Sequence, residues 1–439
     1  MSEARLKALN WLVAVENGRS VNEILATENS PLPPQQTAQA KQLLFGSLRY
    51  YHRLNTILDN LLAKPLKAKD SDLKVLLIMG LYQLDFMSTP DHAAISESVE
   101  LTRTLGKPWA SKLVNGVLRS YQREKLSLTK RLEKAVQYRF SHPGWIVKRL
   151  KTDWPEVFEE ILSENNRQAP MTIRVNTLKN NLDDYLLLLE SNEIKAKKHP
   201  LAKDGLVLEK AVGVAQLPGF EQGKVTVQDA APQLVVDMLQ LETAKNVVDG
   251  CAAPGGKTTH MLQRNPHVKL VAVELSSTRA EKIQQTFERM GIYCELVCED
   301  FVQVEKWAEN RKFDRILLDV PCSASGVIRR NPDIKIHRKS EDVKALIEIQ
   351  RKILEKGWEL LEPGGILLYA TCSVFKAENE QQIATFLKQN SADVLPIPLA
   401  WEGKLNNPAS IGCQILPGEL EMDGFYLCAL QKPASWLES

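Results

Sequence analysis

No apolar run in the sequence is long enough to cross a membrane, and its first residues do not resemble a signal peptide. Apolar runs such as the four leucines at 186–189 are far shorter than the roughly 20 residues of a membrane helix. The residues after Met1 lack the long apolar core and the small-residue cleavage site of a secretory leader. The 439 residues are 44% hydrophobic and 25% charged, which is typical of soluble globular proteins. We therefore expect a cytoplasmic protein of two or three domains.

Cysteine is also scarce, and the seven cysteines indicate neither a disulfide framework nor a metal site. An odd number in a long chain without a leader favours reduced thiols. Cys294 and Cys298 are the closest pair, and no His or Cys partner stands at the spacing of zinc ligands, so we expect no metal. Because the sequence also lacks a zipper pattern and a long exposed apolar strand, we expect a monomer.

Positive charge is concentrated in one segment, although the net charge of the chain is only +2. Residues 101–150 contain twelve Lys or Arg against two acidic residues, Glu124 and Glu133. A solvated helix face would carry some excess charge, but a block this biased in a near-neutral protein fits a phosphate backbone better. The charge pattern alone therefore favours a nucleic-acid partner.

The spacing of apolar residues divides the chain into three parts. Residues 1–139 repeat apolar side chains at intervals of three and four, which predicts an all-α domain. Residues 140–241 mix predicted helices with short strands and indicate a small α+β connector. In residues 242–439, five predicted strands alternate with helices, which is the pattern of a Rossmann-like α/β domain with both faces of a parallel sheet covered. A final strand from Phe425 is expected at the edge of that sheet.

A glycine-containing loop and a series of carboxylates mark the expected ligand edge of this sheet. The first strand ends at Asp249, and two glycines in the following loop allow a close backbone approach just before a helix begins. The next three strands end at Glu274, Asp300 and Asp319. The residues of the loop are Cys251, Ala252, Ala253, Pro254, Gly255, Gly256 and Lys257.

Four carboxylates around one pocket would repel a polyphosphate, and the loop matches neither the GxGxxG nor the GxxxxGK[ST] pattern of phosphate-binding loops. The carboxylates suit a cofactor that carries a cationic sulfonium, an amino group and a free ribose. Glu274 can accept both ribose hydroxyls, and Asp300 can face the adenine edge. Nucleoside triphosphate binding, or glycines that serve only a tight turn, are the weaker interpretations.

Two cysteines follow the next pair of strands, in DVPCSASG at 319–326 and in YATCS at 369–373. A cysteine alone is more commonly an inert packing residue, but beside a methyl donor a thiolate has a chemical use. Carbon 5 of cytosine is a poor nucleophile, and a thiolate that adds to carbon 6 converts the ring into an enamine that attacks a sulfonium methyl. A base must then remove the carbon-5 proton before the thiolate leaves.

These motifs resemble the signature set of the NOL1/NOP2/Sun family of RNA 5-methylcytosine methyltransferases. The likeness rests on DGCAAPGGKT, DVPCSASGVIRRNPDIK and LLYATCS, and extends from about residue 142 to the end of the chain. It implies S-adenosylmethionine as the cofactor, bound by the glycine-containing loop and the carboxylates. It also implies Cys372 as the attacking nucleophile, Cys322 as the group that assists product release, and Asp319 as a contact to the base.

The N-terminal part resembles the NusB-like RNA-binding module through LLFGSLRYYHRLN, GLYQLDFMSTPDHAAISESVE and LVNGVLRSYQRE. Fusion of this module to such a catalytic domain implies one cytosine of 16S ribosomal RNA as the target, in naked RNA or in an early assembly state. The basic stretch 329–339 is interpreted as a phosphate clamp for the RNA strand, with a solvated loop as the alternative. The target base must be unstacked to reach the pocket.

Two other classes of protein stay open at this point. A non-catalytic RNA-binding or assembly factor would need only the NusB-like module, and the complete set of cysteines and carboxylates argues against it. The other class is a methyltransferase with a different acceptor, such as DNA or an RNA adenine. In DNA cytosine enzymes the thiol of the Pro-Cys motif attacks, which would give the nucleophilic role to Cys322.

Overall fold

The computed structural model describes residues 3–28 and 32–434 of the chain. The remaining residues of the predicted first and third domains lie outside the described residues. The chain folds into two compact units, which we name the helical unit and the two-sheet unit. The helical unit is Met1–Arg167 with Ile328–Arg338, and the two-sheet unit is Gln168–Val327 with Lys339–Ser439.

The helical unit contains no strand among its described residues, as the spacing of its apolar side chains predicts. Leu44, Leu76 and Leu118 are fully buried in an apolar core of this unit. The later segment of this unit adds one short helix over Ile334–His337. The other helices are α1 (Glu3–Glu16), α2 (Val21–Ala26), α3 (Pro34–Arg49), α4 (Tyr51–Leu61), α5 (Ser71–Phe86), α6 (Asp91–Thr104), α7 (Ser111–Leu132), α8 (Val136–Phe140), α9 (Gly144–Asp153) and α10 (Phe158–Asn165).

The two-sheet unit begins with a small antiparallel sheet. Its elements are β1 (Thr172–Val175), α11 (Leu182–Ser191), β2 (Ala196–Lys198), β3 (Gly205–Leu208) and β4 (Val225–Val227). The strands lie in the order β2-β3-β1-β4, and every neighbouring pair is antiparallel. Tyr185 and Leu189 of α11 share an apolar core with Ile173 of β1, so the helix covers one face of this sheet.

The larger sheet has eight strands. They are β5 (Asn246–Asp249), β6 (Lys269–Val273), β7 (Glu295–Val297), β8 (Phe313–Asp319), β9 (Leu361–Thr371), β10 (Asp393–Val394), β11 (Cys413–Ile415) and β12 (Phe425–Gln431). The parallel strands β9-β8-β5-β6-β7 form the body of the sheet, and β12 pairs with β9 in the antiparallel sense. The prediction that β12 is an edge strand is wrong, because β10 and β11 both pair with it. β10 has two residues and β11 has three, so neither strand is long enough to produce an alternating apolar pattern in the sequence.

Helices cover both faces of the larger sheet. Val247 belongs to the same apolar core as Met261 and Phe287, whereas its neighbour Val248 belongs to a second core with Leu354. Because successive side chains of a strand point to opposite faces, both faces are buried, as predicted.

None of the described helices is both long and apolar enough to cross a bilayer. The remaining helices are α12 (Ala230–Gln233), α13 (Val235–Met238), α14 (Gly256–Arg264), α15 (Ser277–Met290), α16 (Val304–Trp307), α17 (the Ile334–His337 helix), α18 (Ser340–Leu360) and α19 (Glu380–Leu387).

Candidate active site

The two motif cysteines leave neighbouring strands at the same edge of the larger sheet. Strands β8 and β9 pair in parallel, with Asp319 opposite Ala370. Cys322 follows the end of β8 by three residues, and Cys372 follows β9 directly. Their sulfur atoms are 3.5 Å apart. Parallel pairing and short loops therefore bring together two thiols that are fifty residues apart in the sequence.

A cleft of about 540 Å³ at this edge contains both thiols. Glu274, Asp300 and Asp319, at or just beyond the ends of β6, β7 and β8, line the cleft. Cys251 and Ala253 of the glycine-containing loop line it as well. The cleft thus combines three of the predicted carboxylates with both predicted thiols.

A smaller pocket of about 180 Å³ adjoins the cleft, because Cys251, Ala253 and Asp319 line both. Gly255 lines neither of the two. Its φ of +92° turns the chain into α14, in the left-handed region that favours glycine. The predicted loop residues that line the smaller pocket but not the cleft are Ala252, Pro254, Gly256 and Lys257.

Glu274 is held in place by backbone donors. Its side chain is almost fully buried and accepts hydrogen bonds from the backbone N–H groups of Ser276 at 3.1 Å and Ala253 at 3.3 Å. Arg279 lies 3.4 Å from the same carboxylate. These contacts fix the orientation of a buried acid that faces the cleft, and Glu274 keeps lone pairs for a bound hydroxyl.

The fourth predicted carboxylate, Asp249, lines the smaller pocket and not the cleft. It is buried and accepts a hydrogen bond from the hydroxyl of Thr258 at 2.7 Å. Burial raises the pKa of Asp249 to about 6. The prediction of four carboxylates around one pocket is therefore wrong for Asp249, because the first turn of α14 covers the end of β5.

Lys257 forms an ion pair with Asp319. Its ammonium also lies 5.5 Å from the centre of the Phe425 ring. Burial lowers the pKa of Lys257, but the negative charges of Asp319, Asp249 and Cys372 raise it by more, so that the pKa lies above its ordinary value. A protonated ammonium is thus held within electrostatic range of the Cys372 sulfur.

The thiol of Cys322 is stabilised in its protonated form. Its hydrogen bond with Cys372 is the largest influence that raises the pKa of Cys322. Burial and the charges of Cys372 and Glu378 raise it further, well above its ordinary value. The two neighbouring sulfurs therefore lie in different electrostatic surroundings.

Glu378, which no sequence motif singles out, is a fully buried carboxylate beside both cysteine loops. It accepts hydrogen bonds from Ser323, Ser373 and Gln350. The available signal was the serine that directly follows the cysteine in both PCS and TCS. Two serine hydroxyls beside the two thiols suggest a shared hydrogen-bond acceptor. The sequence does not identify which acidic residue is that acceptor.

The stretch 329–339 does not form the predicted phosphate clamp throughout. Lys335 is 2% exposed and is buried within the helical unit. Its ammonium donates to the backbone carbonyls of Arg49 and Ser141 and to the side-chain oxygen of Asn166. Arg329 is also buried, at 3% exposure. The prediction is therefore wrong for these two residues, because a basic sequence does not reveal which side chains fold inward.

Family comparisons define the class of the protein. Residues 236–431 match the family described as 16S rRNA methyltransferase RsmB/F, so the larger sheet and its cleft form a Rossmann-like methyltransferase domain. Residues 2–123 match the NusB family. Residues 142–215 match the family described as Methyltr_RsmF/B-like, ferredoxin-like domain. These matches confirm the predicted fold class: a NusB-like all-α part, an α+β connector and a Rossmann-like part.

Individual relatives define the family. A ribosomal RNA small subunit methyltransferase B from Vibrio cholerae serotype O1 is 41% identical over 420 residues, covering 95% of this chain and 94% of that protein. Its counterpart from Vibrio vulnificus is 41% identical over 431 residues, covering 98% and 99%. The crystal structure of a methyltransferase homolog protein from Pyrococcus horikoshii is 28% identical, with a TM-score of 0.59 over 67% of this chain and 97% of that chain. The chain belongs to the ribosomal RNA small subunit methyltransferase B family.

Proposed function

We propose that this protein transfers a methyl group from S-adenosylmethionine to carbon 5 of one cytosine in 16S ribosomal RNA. In this reaction Cys372 forms a transient covalent bond with carbon 6 of the base. The observation that supports the proposal most strongly is the 3.5 Å separation of the Cys322 and Cys372 sulfurs in a cleft that three carboxylates also line. Membership of a family of ribosomal RNA methyltransferases supports the substrate class.

The donors in the cleft fit S-adenosylmethionine. Glu274 accepts one backbone hydrogen bond at each oxygen and retains acceptor capacity for the ribose hydroxyls. Asp300 is half-buried and suits the adenine edge, while Leu275 and Ile349 offer apolar surface to a purine ring. When bound, the cofactor supplies a methyl group on a cationic sulfonium. The three carboxylates that line the cleft favour that cation over a polyphosphate.

Cys372 is the stronger candidate for the nucleophile. The Lys257 ammonium lies within electrostatic range of the Cys372 sulfur, so that a positive charge acts at this sulfur. Cys322 is held as a thiol by its hydrogen bond with Cys372 and by burial. These opposite surroundings argue against the alternative scheme, in which the Pro-Cys thiol attacks.

The attack forms a bond between sulfur and carbon 6, and carbon 5 becomes nucleophilic. Asp319 contacts the base in this proposal, because its carboxylate lies in the cleft beside the thiols and is anchored by Lys257. After the methyl transfer, the carbon-5 proton leaves to a base, and the electron pair of that bond expels the sulfur from carbon 6. Cys322 assists this release, since its sulfur lies 3.5 Å from the sulfur that departs.

The surface of the helical unit supports an RNA partner. Positive charges that project into solvent on one long helix suit the phosphate backbone, whereas the target base itself must be unstacked to enter the cleft. The exposed basic residues of α7 are Lys112, Arg119, Arg123, Lys130 and Arg131.

Methyl labelling tests the proposal directly. The protein is incubated with labelled S-adenosylmethionine and 16S ribosomal RNA from a strain that lacks the gene, and the modified nucleotide is mapped. We expect label at one cytosine, on carbon 5, and no label in RNA from the parent strain, where the site is already methylated. Label on an adenine, or label on DNA with none on 16S ribosomal RNA, would overturn the proposal.

A further inference from the structure

One oxygen of a buried carboxylate joins the two cysteine loops. Glu378 is fully buried, and its Oε2 accepts hydrogen bonds from the hydroxyl of Ser323 at 2.5 Å and from that of Ser373 at 2.6 Å. Ser323 directly follows Cys322, and Ser373 directly follows Cys372. The position of Glu378 therefore fixes the residue next to each thiol.

Further hydrogen bonds make this junction rigid. The second oxygen of Glu378 accepts from the backbone N–H of Ser323 at 2.8 Å and from the side-chain amide of Gln350 at 3.0 Å. Separately, the N–H of Gly326 donates to the carbonyl of Cys372 at 2.9 Å. Among the described residues, the groups that donate to Glu378 are two hydroxyls, a backbone N–H and a side-chain amide, and all of them are neutral.

The charge of Glu378 acts on the Cys322 sulfur. Glu378 is one of the causes that raise the pKa of Cys322, after the hydrogen bond with Cys372 and burial. Lys257 interacts instead with Cys372. Charges of opposite sign therefore act near two sulfurs that are 3.5 Å apart, Glu378 at Cys322 and Lys257 at Cys372.

We propose that Glu378 is a positioning residue that holds both cysteine loops in register and restrains the reactivity of the Cys322 sulfur while Cys372 attacks. The proposal rests on the proposed function only in naming Cys372 as the attacking group. A neutral Cys322 does not compete for the base, and it avoids the repulsion of two thiolates at this distance. Glu378 does not line the cleft, so it acts through the thiols.

The test measures the titration of Cys322 with and without the negative charge. Glu378→Gln keeps the side-chain shape but removes the charge, and it is made in a Cys372→Ser background. Iodoacetamide labelling of the peptide that contains Cys322 is followed by mass spectrometry across a series of pH values. We expect the labelling midpoint to fall by about one pH unit relative to Cys372→Ser alone. An unchanged midpoint would overturn the proposal.

Glu380→Gln is the matched control. Glu380 is also buried, at 8% exposure, and it also accepts hydrogen bonds from a serine, but that serine is Ser410, outside the cysteine loops. We expect this variant to leave the Cys322 midpoint unchanged in the same background. An equal shift in Glu380→Gln would contradict a specific role for Glu378.

A kinetic comparison separates positioning from folding. In the chain with both cysteines, we expect Glu378→Gln to lower kcat by about 10- to 100-fold, with KM for RNA and for S-adenosylmethionine nearly unchanged. Glu378→Asp keeps the charge but shortens the side chain. In the Cys372→Ser background we expect it to leave the Cys322 labelling midpoint unchanged. In the chain with both cysteines we expect it to reduce kcat. A rise in KM with full kcat would overturn the proposal. If Cys372→Ala remained active, the proposed function would fail while the labelling shift could still be observed, so the two failures are distinguishable.

Discussion

Cys322 and Cys372 are identical side chains at the ends of neighbouring strands, but their surroundings differ in the sign of the nearby charge. The half-buried ammonium of Lys257 interacts with Cys372, whereas the buried carboxylate of Glu378 raises the pKa of Cys322. The topology of the sheet explains why the sulfurs meet, but it does not distinguish them. The roles proposed for the two sulfurs depend on charged side chains that other elements supply. Each of the following substitutions removes one of the two thiols or the charge of Lys257.

Removal of the Cys372 thiol is expected to have the largest effect. Cys372→Ala deletes the proposed nucleophile, so initial rates with labelled S-adenosylmethionine should fall by about 10⁴-fold or more. Cys298→Ala is the control, because Cys298 is exposed and does not line the cleft. We expect that variant to keep activity within about twofold. A Cys372→Ala protein with a tenth of the original rate would contradict the assignment.

Removal of the Lys257 charge is expected to have the next largest effect. Lys257→Met leaves the Asp319 carboxylate without its ion pair and the Cys372 sulfur without its nearby cation, and kcat should fall by about 10²- to 10³-fold. Lys257→Arg, which keeps the charge, should retain more activity than Lys257→Met. Lys282→Met on the exposed side of α15 is the control and should be neutral. Equal losses in Lys257→Arg and Lys257→Met would indicate that shape, and not charge, matters at this position.

Removal of the Cys322 thiol should slow release more than attack. We expect Cys322→Ala to complete a first methyl transfer and then to turn over about 10²-fold more slowly, because the group that assists departure of the Cys372 sulfur is absent. Rapid-quench measurement of the first turnover, followed by the steady-state rate, checks this. Equal slowing of both phases would place Cys322 in the attack instead.

The smallest expected effect is on the pH dependence of stability. The pKa of Cys322 is raised in the folded state, so the stability that this thiol contributes is complete below its unfolded pKa of about 9 and is lost as the pH rises above it. When the pH rises from 8 to 10, the free energy of unfolding should fall in the original chain by about 1 kcal/mol more than it does in Cys322→Ala, which has no thiol at this position. Urea unfolding at both pH values measures the difference, with Cys298→Ala as the control. Parallel pH profiles for Cys322→Ala and the original chain would argue against the raised pKa.

The sequence predicts the part of this site that depends on strand alternation. Apolar strands with acidic or cysteine residues at their ends imply a common edge, and the structure confirms that Glu274, Asp300 and Asp319 line one cleft there. Asp249 departs from the pattern, because it lines the smaller pocket instead, where Thr258 in the first turn of α14 donates to one of its oxygens. The predicted catalytic and cofactor roles, the domain boundaries and the monomeric state stay predictions.

Burial of charged side chains is the part that the sequence does not reveal. Lys257 is half-buried and Lys335 is fully buried, and both stand in basic or glycine-rich motifs. Lys257 has a carboxylate partner and a raised pKa. Lys335 contacts carbonyl and amide oxygens, and burial lowers its pKa well below the ordinary value. Glu378 was missed for the same reason, since its importance comes from contacts with residues 28 to 55 positions away as well as with nearby Ser373.

The central claim is that Cys372, and not Cys322, bonds to the base, and the covalent adduct tests it most directly. Cys322→Ala protein is incubated with S-adenosylmethionine and unmethylated 16S ribosomal RNA, digested with nuclease and protease, and analysed by mass spectrometry. We expect a peptide of the YATCS segment that carries a methylated cytidine nucleotide on Cys372. Formation of 5-methylcytosine with no adduct on Cys372, or an adduct on another cysteine, would contradict the claim.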